Sequence, residues 1–313
     1  MITDGKTTIN FNDKVIVYDK VVGGCNNAFV TPTDYNAIYE GGLTGAPDPA
    51  PTGSPTGTIG DKLQLNFNGL KIQPKRWNDE HTELIWNTIS AETGKDVDPI
   101  TSGELLNPVT SDENDIDRRL KGGNIYGGCY NSGIVNGNVI INIEASLVDR
   151  DVVFDEVEGD EHGERKLYEN DEFKITKRNT GVILDEQGMD VLGSALNVFG
   201  GGKGVNTEIW GSTTINLNRG YVFQIFGGSE EGGIGKGTYN DTEKKIEYDY
   251  DERYSTYINL NGPIAGVSKA DNMKEDMAEC EFMYGGGFLG TVAGNCILNL
   301  DNGRIFNSFA GAC

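Results

Sequence analysis

Histidine is nearly absent from this chain, and most conventional reaction chemistry goes with it. Only His81 and His162 occur in 313 residues, so a Ser–His or Cys–His triad and a His-rich metal centre have too little material. Cysteine is sparse and odd in number, and the spacing of Cys25, Cys129, Cys280, Cys296 and Cys313 follows no zinc pattern. Positive charge is scarce as well. Twenty-six Lys and Arg face 48 Asp and Glu, a formal net charge of −22, which excludes the basic footprint that a nucleic-acid backbone requires. No apolar run reaches the ~18 residues of a membrane span. The first twenty residues carry Asp4, Lys6, Asp13, Lys14 and Asp19 and hold no apolar signal core. A start without a signal peptide is expected of a processed segment or of a cytoplasmic chain.

Glycine, by contrast, is plentiful: 44 residues, about twice the average usage of ~7%. It is spent at fixed places. Six times the chain writes apolar–Asn–apolar, at Asn10, Asn66, Asn142, Asn216, Asn259 and Asn299. Six times a large apolar residue followed by two tiny ones answers: Gly23-Gly24, Gly127-Gly128, Gly200-Gly201, Gly227-Gly228, Gly285-Gly286 and, after Phe309, Ala310-Gly311. Where nothing interrupts the pattern, Phe199 and Phe226 stand 27 residues apart. Internal repetition at such a period marks a stack of equivalent units. The alternation around each Asn has the period of a strand. Two or three short strands per ~25 residues suit one coil of a solenoid and are too few for a propeller blade of ~40. The expected fold is all-β: a right-handed parallel β-helix of about six coils, forming a single domain over residues 1–313. Its thin core agrees with a mean hydropathy of −0.41.

Stacking dictates the residue choices. With coils about 4.8 Å apart, each side chain lies on its own equivalent. Apolar residues repeat inward, and Asn repeats outward as an amide ladder. The Gly pairs are expected at corners, where Gly alone adopts φ > 0 without a Cβ penalty. The next residue is always small: Cys25, Cys129, Gly202, Ser229, Gly287 and Ala312. Cys25 and Cys129 share that column in consecutive coils, which predicts either a disulfide or two stacked free thiols.

The remaining chain is inserted between coils, at about 31–60, 71–121, 144–194, 230–254 and 261–281. Insertions in solenoids commonly form the face that meets a partner. Asn78 as N-cap, followed by Asp79 and Glu80 and by Trp77, His81, Leu84, Ile85 and Ile89 at helical spacing, predicts a short helix over 78–91. Asp271 to Cys280 predicts another. Neither end of the chain is an end of the pattern, so a segment of a longer array, or end-to-end continuation of the solenoid, is expected.

Candidate chemistry is thin. The glycine-rich stretches 200–204 and 232–238 lack the Walker A order, because Glu230 stands where its first glycine belongs and Gly237 separates Lys236 from Thr238. Acids at 112–117 and 249–251 could gather calcium, but neither stretch has the Gly and distal Glu of a calcium loop; no other cofactor is indicated. Tyr248, Tyr250 and Trp86 are the candidate ligand-binding aromatics, as platforms for sugar rings. Tyr257 alternates into a strand and is expected in the core.

The phrases from Tyr126-Gly127-Gly128-Cys129 to Gly137–Ile143, and from Val198-Phe199-Gly200-Gly201-Gly202 to Gly211–Gly220, resemble the Gly-Gly repeats of large bacterial surface proteins of the adhesin-like parallel β-helix type. The resemblance covers the coils and leaves the insertions untouched. It implies an extracellular or cell-surface rod that displays loops for adhesion, with a glycan or a host or bacterial surface protein as partner and no catalysis. The missing signal peptide departs from that family and suits only a processed segment. A β-helix scaffold also suits a polysaccharide lyase or glycosidase working through paired acids, or a purely structural rod such as a phage fibre segment.

Overall fold

A computed structural model describes residues 6–12, 15–26, 60–69, 71–73, 75–82, 84–86, 88–90, 118–120, 123–145, 154–156, 165–169, 172–176, 197–240, 242–243, 245–262 and 278–311. Strands Thr7–Phe11, Asp61–Phe67, Asn138–Glu144, the first part of Thr213–Phe226, Thr256–Leu260 and Cys296–Leu300 pair in parallel, in chain order. A second ladder runs through Lys20–Val22, Asn124–Tyr126, Asn197–Phe199, the last part of Thr213–Phe226, Ala278–Tyr284 and Arg304–Ala310. Thr213–Phe226 runs through both, so the two ladders form one 11-stranded sheet. That strand turns at Gly220, whose φ of 83° needs a residue without Cβ. A third parallel ladder, in a four-stranded sheet of its own, joins Ser132–Val135, Asn206–Ile209, Gly233–Ile234 and Thr291–Val292. Each strand therefore pairs with its equivalent one repeat later, an all-β, solenoid-like stack.

Alternation decides which side is core. In Asn138–Glu144, Val139, Ile141 and Ile143 are fully buried while Ile140 and Asn142 are half-buried on the other side. Leu65 and Phe67 below, and Ile215, Leu217, Ile258 and Leu260 above, repeat that arrangement. Each fully buried Ile or Leu contributes about 1.5–3 kcal/mol relative to exposure, and the stack forms one continuous apolar cluster. On the other side the Asn column is unbroken. Asn66 donates to Asn10, Asn142 to Asn66, Asn216 to Asn142, Asn259 to Asn216 and Asn299 to Asn259, at 2.6–2.7 Å.

Several expectations are corrected. None of the Gly pairs has positive φ; what they require is space. A Cβ on Gly127 would lie 2.3 Å from the Gly200 carbonyl oxygen, and one on Gly200 would lie 2.1 Å from that of Gly227. The sixth answer is displaced by one residue, since Ala310, not Phe309, pairs with Tyr284. Residues 84–86 and 88–90 are strands in antiparallel hairpins with 75–77 and 118–120. Asn78 caps a turn, its side chain accepting from the Thr82 amide at 2.9 Å. Hairpin and helix begin with the same Asn, and β-branched Thr88 and Ile89 then favour the strand. Cys280 lies in the strand Ala278–Tyr284, and residues 271–277 fall outside the described residues. Strand pairing also trims the insertions, with Glu144 and Ala278–Cys280 inside paired strands. Lys71–Gln73 still pairs with Ile16–Tyr18, and Gly233–Ile234 belongs to the third ladder. Tyr257 shares the Asn face instead of the core. Cys25 and Cys129 are free thiols, with Sγ atoms 3.0 Å apart.

Candidate functional site

The residue before each Gly pair points away from the apolar core, yet Tyr126, Phe199, Phe226 and Tyr284 are all buried. Their rings stack face to face at 4.9–5.2 Å. Two residues past the second glycine of each pair stand Tyr130, Lys203, Glu230 and Phe288. Tyr130 meets Tyr126, and Phe288 meets Phe226, edge to face.

Among these rings lies a polar cluster. Tyr126 donates from Oη to Glu230 Oε2 at 2.5 Å across 104 residues of sequence, and Asn124 Nδ2 reaches the same phenol at 3.4 Å. Lys203 Nζ donates to Tyr130 Oη at 3.3 Å and sits 5.0 Å above its ring, as does Lys20 from an earlier coil. Glu230 is 5% exposed. Burial pushes its carboxyl up, and the Tyr126 hydroxyl and Lys203 oppose that only in part. Burial pulls Lys203 down, but Glu230 and Tyr130 outweigh it and hold the ammonium above its usual range. The Tyr126 phenol is driven upward by burial and by Glu230. Acid, phenol and ammonium are the tools of proton transfer, here closed beneath aromatic edges.

A second buried acid, Glu208, is occupied structurally. It accepts from Trp210 Nε1 at 2.6 Å, from the Gly237 amide at 3.2 Å and from the Tyr248 phenol. These bonds fasten the hairpin of Gly237–Asn240 and Lys245–Tyr248 onto the third ladder.

This settles where the candidate aromatics stand. Tyr248 spends its hydroxyl on Glu208 and lays its ring against Gly233. Tyr250 is 69% exposed, held by a 3.1 Å bond from its hydroxyl to Asn295 Oδ1. Trp86 lies in a different hairpin, opposite Lys75. Beside Tyr250, Asp251 binds Arg253 through Nε at 2.8–2.9 Å, and the guanidinium holds its carboxyl below the usual range. That pairing occupies one of the two acids of the 249–251 stretch. Among the described residues no three His, Cys, Asp or Glu gather as metal ligands, and residues 112–117 fall outside them.

The Tyr126–Glu230 cluster escaped sequence reasoning, because Tyr126 and Glu230 stand 104 residues apart in different columns of the repeat. The chain matches no family model, no curated protein and no solved structure.

Proposed function

We propose that the chain is a right-handed parallel β-helix acting as a non-catalytic binding module of adhesin-like type, extracellular or at a cell surface, on a glycan or a host or bacterial surface protein. Crossovers between parallel strands of one sheet are right-handed in about 98% of cases, which supports the hand. The observation that carries the function is the alignment of the excursions. Long intervals of sequence separate Gln73 from Asn124, Ala145 from Asn197 and Gly262 from Ala278, each time between an Asn strand and an aromatic strand. Three insertions thus fall at one corner of the stack, the usual arrangement for recognition by loops. The exposed ring of Tyr250, with Asn295 and the Asp251–Arg253 pair beside it, adds a platform suited to a sugar face.

Incubation with a panel of host and plant polysaccharides tests this, with retained protein and newly formed chain ends both measured. Retention without new ends, weakened by Tyr250→Ala, is the expected result. New reducing or unsaturated ends would replace it with the polysaccharide-active reading, which works through paired acids of the insertions. Neither signal would leave a structural rod.

A further inference from the structure

The stack of described coils has a direction, and its first and last edges are complementary. In the Asn column every amide donates toward the earlier coil. Asn10 thus ends one face with Nδ2 as a donor, and Asn299 ends the other with Oδ1 as an acceptor. The column two residues along keeps the same direction, interrupted at Glu144, which accepts from Asn218 and cannot donate to Asn68. Asn68 donates to Asn12, and Asn261 to Asn218, while Asp301, the next position along after Asn261, has a carboxylate that only accepts. The glycine column points the opposite way. A Cβ on Gly23, Gly127, Gly200, Gly227 or Gly285 would strike the next coil's carbonyl, whereas one on Gly311 meets nothing within 4 Å. The last coil also exposes core residues, Leu300 at 42% and Phe309 at 58%.

We propose that this chain associates head to tail with a second copy of itself, the Cys296–Leu300 and Arg304–Ala310 edge of one copy receiving the Thr7–Phe11 and Lys20–Val22 edge of the next. Only this orientation continues the amide polarity. In register, Asn10 of the second copy donates to Asn299, Asn12 to Asp301 and the Gly311 amide to the Val22 carbonyl. Phe11 then covers Leu300 and Val21 covers Phe309, as their own columns do within the chain. A contact of this kind is heterologous and does not close, so it grows into filaments. The charge of −22 on each copy opposes it, so added salt strengthens it. The inference rests on strand register and is independent of any ligand.

Sedimentation velocity at low and high sodium chloride tests it with two variants that leave the single chain intact. Gly311→Val fills open space. Asn10→Asp keeps the oxygen that Asn66 needs and removes the outward donor. Each is expected to melt like the wild type and to weaken self-association about tenfold or more. Mixed together, the two variants have one good face each of opposite kind, and they should stop at a dimer. A wild type that stays monomeric at high salt and high concentration would overturn the proposal. So would association that survives both variants, or a mixture that forms longer oligomers.

Discussion

The Asn column and the glycine column both recur through the whole stack, but they hold it by opposite means. The Asn column adds something: each amide bridges to its neighbour on a half-exposed face. The glycine column leaves something out, letting one coil's backbone approach the next where a Cβ would collide. A repeat that works by addition loses its contribution in steps, whereas a repeat that works by omission fails at once when anything is added.

The sharpest way to break that comparison is Gly200→Val. Its Cβ would lie 2.1 Å from the Gly227 carbonyl oxygen and 2.9 Å from the Thr213 side chain, and the backbone contact cannot yield. A loss of about 3 kcal/mol is expected by urea denaturation, while Gly60→Ala, with nothing within 4 Å, should change stability by no more than ~0.5 kcal/mol. Next in size is Asn142→Ala, which removes a bond in each direction and should cost about 1–2 kcal/mol. Asn299→Ala, at the exposed end, loses one bond, and its thermal melt should move far less.

Glu230→Gln sharpens the contrast from a third side, because it alters an acid buried among stacked rings. The folded protein raises this carboxyl above its ordinary value. Its favourable contribution is therefore present below the unfolded value and is lost as pH rises through the folded one. The Gln variant should match wild type in acid and gain on it toward neutral pH, followed by denaturation across that range. The smallest effect on stability belongs to the thiols. The hydrogen bond with Cys129 lowers Cys25 to about 7, so Cys25 alkylation should reach half its maximal rate near pH 7. Cys129→Ala should move that midpoint upward, and an unchanged midpoint would remove Cys129 as its cause.

Strand identity was legible because alternation is local. Leu65-Asn66-Phe67 and Ile141-Asn142-Ile143 each state which residue faces inward, and the structure pairs them in that register. The hairpin near Trp77 was not legible, since Asn78 caps a turn or a helix with the same side-chain oxygen. The role of the glycines was misread for a related reason. Sequence shows that a side chain is missing, but a neighbour's position shows whether φ or space requires it. Tyr126 and Glu230 are each ordinary in sequence and become a pair only when intervening excursions bring their coils together.

By itself, then, the sequence determined the six apolar–Asn–apolar strands, their order and the face each Asn takes, because side-chain direction along a strand depends only on the count of residues. The tertiary structure alone decided the one-residue displacement at Ala310, the unbonded thiols of Cys25 and Cys129, and the burial of Glu230 against Tyr126. Those depend on distances between coils separated by long stretches of chain, which no local spacing encodes.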